Sequence, residues 1–171
     1  MKKDSIWLML VFMANILLIS IALVSAQTSQ APEVEWNKTF GGNYYDEGSD
    51  VQHTTDGGDI VVGYTYSFGT SSADVWLIKT DSNGNMQWNK TFGGNYYDEG
   101  RDVQQTSDGG YIVVGYTNSF DAGYDDVWLI KTDSNGNMQW NKTYGRSNYE
   151  GGSNVQQTTD GGYIVVGYTF P

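Results

Sequence analysis

A 52-residue repeat constrains this chain more than any other feature of its sequence. Trp36, Trp88 and Trp140 follow one another at intervals of 52 residues, and the first two repeats differ at ten positions. A chain of tandem copies buries its core by stacking neighbouring units. The sequence therefore predicts one repeated architecture over three units: residues 36–87, residues 88–139 and a partial copy at 140–171.

Each of the two complete repeats contains four segments with the pattern of β-strands, which we call strands a, b, c and d. Strand b follows a tight Asp-Gly-Gly turn, and its Ile-Val-Val run is apolar at consecutive positions, as in a strand buried on both faces. Strand c carries a similar apolar run. Strand d follows an Asn-Gly turn and alternates, which predicts an outer strand with one wetter face. The expected bounds in the second repeat are about Asp102–Thr106 for a, Tyr111–Thr117 for b, Asp126–Thr132 for c and Asn137–Tyr144 for d.

Four antiparallel strands per unit are typical of one blade of a β-propeller. The motifs Trp-x-Lys-Thr-Phe-Gly-Gly, Asp-Gly-Gly-Tyr-Ile-Val-Val-Gly-Tyr-Thr and Asp-Val-Trp-Leu-Ile-Lys-Thr-Asp-x-x-Gly resemble the tandem propeller-like repeats of secreted and cell-surface proteins, many of them archaeal. The resemblance covers nearly all of Trp36–Pro171. It implies an all-β fold of four-stranded antiparallel blades and an exported location, and it carries over no catalytic residue.

The order of the strands predicts an incomplete propeller. The repeats open with a lone strand d, Glu35–Phe40, continue with two complete blades and end with strands a and b of a third. Propellers often close by pairing an N-terminal strand d with C-terminal strands a to c, and the third strand c is missing from this pattern. We therefore expect an open arc with exposed blade edges, either as a fragment of a longer propeller or as a chain that associates with copies of itself.

The N-terminus has the features of an export signal. Lys2 and Lys3 precede an apolar run, Ile6–Val24, and small residues lead to an expected cleavage site after Ala26. The alternative is an uncleaved membrane anchor, because the run is close to the ~20 residues that span a bilayer. In either case a signal helix in residues 1–26 and a polar linker at 27–35 would precede a secreted or cell-surface domain, with the membrane involved only through this segment.

Charge and composition exclude several classes of function. The formal net charge of −11 argues against a nucleic-acid partner. The absence of cysteine excludes disulfides, cysteine-ligated zinc and thiol nucleophiles. Stability must come from packing, for which 13 tyrosines and 6 tryptophans supply large rings. No cofactor is expected.

Alternating strand direction places the loops of each repeat on two rims. The a–b and c–d connections are tight turns on one rim, whereas the b–c and d–a connections are long loops on the other. Six of the ten differences between the full repeats lie in the b–c loop. Long loops on a rigid scaffold often bind ligands, so we expect a protein or glycan partner there, although surface loops also drift without function. The candidate contact residues are Tyr44, Tyr45, Tyr96, Tyr97, Phe68, Phe120 and Tyr124.

Three Asn-x-Thr sequons lie on the wetter face of strand d, at Asn37, Asn89 and Asn141. They are candidate glycosylation sites if the host modifies exported proteins, or copies of one accidental sequon that was duplicated with the repeat.

Acidic residues in the d–a loops raise the question of calcium. Asp46, Glu47 and Asp50 recur one repeat later as an identical set. None of the loops has the spacing of a calcium-binding loop, and the third repeat replaces the set with Glu150, Gly151 and Asn154. Turn and capping roles are favoured, and no metal site is predicted.

Catalysis has little support in the sequence. The single histidine, His53, aligns with Gln105 and Gln157, so it reads as a tolerated substitution on a polar strand. The serines lack a histidine partner, and adjacent carboxylates do not define a separation across a cleft. The favoured hypothesis is a non-catalytic exported surface or interaction module. The alternative is a partial chain of an extracellular propeller enzyme that acts on glycans.

Overall fold

The described part of the chain is antiparallel β-structure. The computed structural model describes residues 31, 33–120, 124–146 and 148–170. The chain divides after Glu35 into two units, and all ten described strands belong to the second. They are β1 (Asp46–His53), β2 (Asp59–Thr65), β3 (Asp74–Thr80), β4 (Met86–Phe92), β5 (Asp98–Gln105), β6 (Tyr111–Thr117), β7 (Asp126–Thr132), β8 (Met138–Tyr144), β9 (Tyr149–Gln157) and β10 (Tyr163–Phe170).

The strands form three sheets in chain order. Sheet 1 has the order β1-β2-β3-β4, sheet 2 has β5-β6-β7-β8, and sheet 3 pairs β9 with β10. All neighbours are antiparallel. The predicted all-β fold with four-stranded antiparallel units is confirmed. The expected signal segment, residues 1–26, lies outside the described residues, within which no helix is long and apolar enough to cross a membrane.

Strands b and c of the second repeat coincide with their predicted bounds, and strand a does not. β6 is buried along its whole length, and β7 is buried except at one partly exposed residue, Val127. β8 has mostly exposed residues, as predicted for an outer strand. Strand a, β5, begins at Asp98 rather than about Asp102, because Asp98–Gly100 pair with β6 ahead of a bulge at Arg101. The bulge interrupts the alternation that a sequence pattern would detect.

Two apolar clusters join successive sheets. In the first, Leu77 of sheet 1 packs with Val113 and Trp128 of sheet 2. In the second, Ile112 of sheet 2 packs with Val155 of sheet 3. Neighbouring residues of β6 thus point to different clusters, which explains why its apolar run is uninterrupted.

The third copy of strand b departs from the expectation that this strand is buried on both faces. In β10, Ile164 is 62% exposed, whereas its counterpart Ile112 in β6 is fully buried. Val166 is exposed in the same way. The sequences of the two strands are the same from Tyr to Thr, so the difference comes from the neighbouring sheet that covers β6.

Side chains of one strand a hydrogen-bond the backbone of the next. The Gln157 N–H donates to Gln104 Oε1 (2.6 Å), and the Val155 N–H donates to Asp102 Oδ2 (2.7 Å). The preceding pair of strands has the same two bonds, from Gln105 to Gln52 and from Val103 to Asp50. Burial raises the pKa of Asp102, and the neighbouring Asp50 adds to this. Two backbone N–H groups of β5 and two of β9 are therefore satisfied by side chains from a different sheet.

The predicted opening strand d, Glu35–Phe40, is wrong. Residues 33–45 form no strand. The Trp36 ring lies against Gly84 in the c–d turn, and Lys38 Nζ donates to Asn85 Oδ1 (3.3 Å). In β4, Trp88 and Lys90 make the same contacts with Gly136 and Asn137. The segment thus takes the place of a strand d, but among the described residues no strand c lies beside it to complete the ladder.

Each of the first two Asp-Gly-Gly turns holds the lysine of strand c. The buried Lys131 ammonium lies 2.9 Å from the Asp108 carboxylate, which also accepts a hydrogen bond from Thr106 Oγ1. The Thr106 hydroxyl and the Lys131 ammonium lower the pKa of Asp108 to about 2. Asp56 and Lys79 repeat the arrangement in the first turn. The turn therefore fixes strands b and c together through a partly solvated ion pair.

We expect Asp108→Asn to lower the free energy of unfolding by about 1–3 kcal/mol, because the buried ammonium of Lys131 loses its counter-charge. The pKa of Asp108 is lower in the folded state than in the unfolded chain, where it is about 4. The ionised Asp108 therefore stabilises the fold fully above about pH 4, and this contribution is lost as the pH falls through the folded pKa of about 2. Thermal unfolding at several pH values checks this, since the deficit of the variant should shrink over that window. Asp160→Asn is the matched control, because no ion pair forms at Asp160 among the described residues. Equal losses in the two variants would contradict the role of Lys131.

Candidate functional site

The b–c and d–a loops of each repeat meet at one rim, which we call the long-loop rim. Hydrogen bonds pin the two loops together: Tyr44 N–H donates to Ser67 Oγ (2.9 Å), and Tyr96 N–H donates to Ser119 Oγ (3.0 Å). The loops therefore present their tips from a fixed backbone. The described residues of the rim are 41–45 and 66–73 in the first repeat, and 93–97, 118–120 and 124–125 in the second.

A carboxylate at the start of strand a anchors both loops. Asp98 is fully buried and accepts hydrogen bonds from Thr117 Oγ1, from Ser119 Oγ (2.7 Å) and from Gly94 N–H (2.8 Å). Asp46 makes the equivalent bonds with Thr65, Ser67 and Gly42. Burial opposes ionisation of Asp46, but the hydrogen bonds from Thr65, Gly42 and Ser67 outweigh it and lower its pKa. These carboxylates are occupied in holding the loops.

Tyrosine rings from the d–a loops and from strands b form a continuous row across sheets 1 and 2. The Tyr64 ring lies 5.9 Å from Tyr45 and 5.6 Å from Tyr97, and Tyr97 stacks on Tyr116 at 5.7 Å between ring centroids. One glutamate in each sheet accepts two hydroxyl groups: Glu47 from Tyr45 (2.6 Å) and Tyr64 (3.1 Å), and Glu99 from Tyr97 (2.9 Å) and Tyr116 (2.8 Å). The hydrogen bond to Glu47 raises the pKa of Tyr45 to about 12. Every ring of this row, which we call the floor, is thus held by a hydrogen bond to a glutamate.

Arg101 extends this row to sheet 3. Its guanidinium lies 4.7 Å from the Tyr116 ring centroid and 5.0 Å from that of Tyr168, and its Nε donates to Glu99 Oε1 (3.0 Å). The side chain is thus held between two aromatic faces from neighbouring sheets. Arg101 replaces Ser49 of the first repeat, and sequence reasoning missed it. The position could have been noticed in the sequence, because Arg101 is one of the ten differences between the two full repeats. It adds a charge outside the variable b–c loop.

The predicted contact residues separate into three groups. Tyr44 and Tyr96 are 74% and 64% exposed, and Tyr45 is 61% exposed. Phe68, Phe120 and Tyr124 are partly exposed but also pack: Phe68 lies 5.3 Å from Trp76, Phe120 5.1 Å from Trp128 and Tyr124 4.7 Å from Tyr149, measured between ring centroids. Tyr97 is only partly exposed, because its ring stacks on Tyr116. The structure thus leaves Tyr44, Tyr45 and Tyr96 as the most accessible rings of the predicted set.

The sequon asparagines lie on exposed positions but have structural partners. Asn89 Oδ1 accepts the indole N–H of the buried Trp76 (3.2 Å), and Asn89 Nδ2 lies 3.2 Å from Met86 Sδ. Asn141 repeats both contacts with Trp128 and Met138. Glycosylation of these residues stays a prediction, and the amide nitrogen would have to leave its methionine contact. Asn37 is exposed in the segment before β1.

The acidic and histidine positions are explained by local hydrogen bonds. Asp81 accepts bonds from the backbone N–H groups of Asn83 and Asn85 (each 2.9 Å), which closes the c–d turn. His53 Nδ1 lies 3.0 Å from Asp59 Oδ1 on the adjacent strand, where the second repeat has Gln105 opposite Tyr111. Among the described residues, no group of three or more His, Asp or Glu side chains is arranged to hold a metal ion.

The long-loop rim therefore combines exposed aromatic rings, pinned backbones and a bonded floor, which suits recognition by contact. In comparison with known proteins, no protein-family model and no curated protein sequence matches the chain.

Proposed function

We propose that the chain is an exported, non-catalytic interaction module built of propeller-like blades, and that its long-loop rim binds a protein or glycan at the cell surface. The observation that carries this proposal is the exposure of Tyr44 and Tyr96 at equivalent places on loops whose backbones are fixed by Ser67 and Ser119. Aromatic side chains give large contact areas at a small cost in conformational entropy, most of all on a preorganised surface.

Two further features support the proposal. The sheets stack by repetition of the same apolar contacts, as the blades of a propeller do, and sheets 1 and 2 each have four antiparallel strands. The N-terminal Lys-Lys start, apolar run and small-residue exit are typical of export. The proposed location is secreted or bound to the cell surface, with the resemblance to surface repeat proteins pointing the same way.

We expect the fluorescently labelled chain to bind saturably to the isolated cell-envelope fraction of the producing organism. The double variant Tyr44→Ala/Tyr96→Ala should weaken this binding about tenfold or more, because it removes two exposed aromatic rings from the rim. The binding isotherm on washed envelopes is the measurement.

The matched control is Met86→Ala/Met138→Ala. These methionines occupy equivalent positions of β4 and β8, next to the tight c–d turns, and their exposure is 42% and 41%. The control variant should bind as the unchanged chain does. An absence of saturable binding, or an equal loss in both double variants, would rule out the rim as the binding surface.

A further inference from the structure

The outer edge of β10 differs from the same edge of its counterparts. β2 and β6 each pair with strand a on one side and strand c on the other. β10 pairs with β9, and among the described residues no strand pairs with its other edge. Its backbone N–H and C=O groups on that side are therefore available to a further strand.

A groove of about 800 Å³ lies beside this edge. Its apolar walls include Val127 and Leu129 of β7, Tyr144 of β8, and Tyr163 and Val165 of β10. The residues 52 positions earlier are Val75, Leu77, Phe92, Tyr111 and Val113, and all five are buried. There, Trp128 and Ile130 of strand c pack into the same cluster. The equivalent position one repeat earlier is thus filled by the tryptophan and isoleucine of a strand c.

The register of the occupied sites predicts where each group of an incoming strand would lie. Trp76 pairs with Gly63, and Trp128 pairs with Gly115. Gly167 is the third glycine of this series and lines the groove. A tryptophan opposite Gly167 would therefore reach the pocket that Trp128 fills one repeat earlier.

The Asp-Gly-Gly turn adds a charge to the same edge. In the first two repeats the strand c lysine is buried and pairs with the turn aspartate, at 3.0 Å for Lys79–Asp56 and 2.9 Å for Lys131–Asp108. In the third repeat Asp160 accepts hydrogen bonds from Thr158 Oγ1 and Gly162 N–H, as the other two turns do. A lysine directly after the apolar run of an incoming strand would meet this carboxylate.

We propose that the β10 edge and its groove bind an extended segment of the sequence Asp-Val-Trp-Leu-Ile-Lys-Thr, from a polypeptide that carries this repeat with its strand c unpaired. Its tryptophan lies opposite Gly167 and its lysine pairs with Asp160. A second folded copy of this chain does not supply the segment, because β3 and β7 each have both edges paired. The interaction adds a strand to a sheet edge and uses side-chain pockets for specificity. It is independent of partner binding at the long-loop rim.

The test uses the full chain and a synthetic peptide of residues 125–133 with 5-fluorotryptophan at its single tryptophan, followed by fluorine NMR. We expect saturable binding with a shifted, broadened fluorine signal. Replacing the peptide tryptophan with alanine, in a peptide followed by a terminal fluorophore, should weaken binding at least about tenfold. Two further peptides carry backbone N-methyl groups at alternate residues, in the two possible registers. The peptide whose methyl groups replace the N–H groups that face β10 should bind more weakly than the other.

Two chain variants locate the site. Tyr144→Ala removes an exposed groove wall and should weaken peptide binding several-fold, whereas Tyr44→Ala, at the long-loop rim, should not change it. Circular dichroism confirms that both variants are folded. Absence of saturable binding, equal binding of both methylated peptides, or a chain dimer that the peptide does not dissociate would overturn the proposal. A Tyr44→Ala/Tyr96→Ala variant that loses binding to cell envelopes should still bind the peptide, so the two proposals are tested separately.

Discussion

Replacing Trp128 with alanine is expected to lower the free energy of unfolding by about 3–5 kcal/mol, the range for large aromatic residues truncated in a core. The ring is 2% exposed and packs with Leu77 and Phe92 of sheet 1. Its indole N–H also donates to Asn141 Oδ1 (3.1 Å), so the truncation removes a hydrogen bond as well as apolar area. The loss should fall mainly on the apolar cluster that joins sheets 1 and 2.

Equilibrium urea unfolding followed by circular dichroism measures this effect. Trp36→Ala is the matched control, because Trp36 is 40% exposed and lies in a segment without strand pairing. That variant should lose less than about 1 kcal/mol. If Trp128→Ala is no less stable than Trp36→Ala, the interface between sheets 1 and 2 does not hold the chain together.

Gly115→Ala should be nearly as damaging, with an expected loss of about 3 kcal/mol. Gly115 lies in the middle of β6, opposite Gly100 and Trp128 in the two neighbouring strands. A methyl group at this position would overlap the backbone carbonyl of Glu99. Backbone atoms cannot move aside as a flexible side chain can, so β5 and β6 would have to separate. Glycine is therefore required here by close approach of two strands.

Gly109→Ala provides the contrast for this prediction. Gly109 has a φ of 81°, and nothing lies within 4 Å of the added methyl group. Its cost should come from the left-handed backbone alone, about 1 kcal/mol. Thermal and urea unfolding of both variants, compared at equal pH, separates the two causes. A larger loss for Gly109→Ala than for Gly115→Ala would contradict the close approach of β5 and β6.

The local strand pattern was predictable because it depends on neighbours in sequence. Strands Tyr111–Thr117 and Asp126–Thr132 could be placed from apolar runs between turn signals, and they form over those ranges. The start of strand a could not, because the bulge at Arg101 breaks the period of two residues. The same sequence pattern placed a strand at Glu35–Phe40, where none forms among the described residues, since a strand needs a partner that its own sequence does not reveal.

The candidate site could be predicted only in outline. Placing Tyr44 and Tyr96 on one rim followed from strand direction. In the structure the Tyr44 loop is bonded to Ser67, and the Tyr96 loop is bonded to Ser119. That Tyr97 belongs to the floor required the positions of Glu99 and Tyr116, which are on two different strands. The ring–guanidinium contact between Arg101 and Tyr168 likewise joins residues that are 67 positions apart in the sequence.

By itself the sequence determined the repeat, its period, the antiparallel strands and the turns, because turn chemistry and alternation act over a few residues. Only the tertiary structure decided which copies of a strand are buried. Ile112 and Ile164 have the same local sequence, yet one is fully buried and the other is exposed, because burial depends on the sheet that lies across from each.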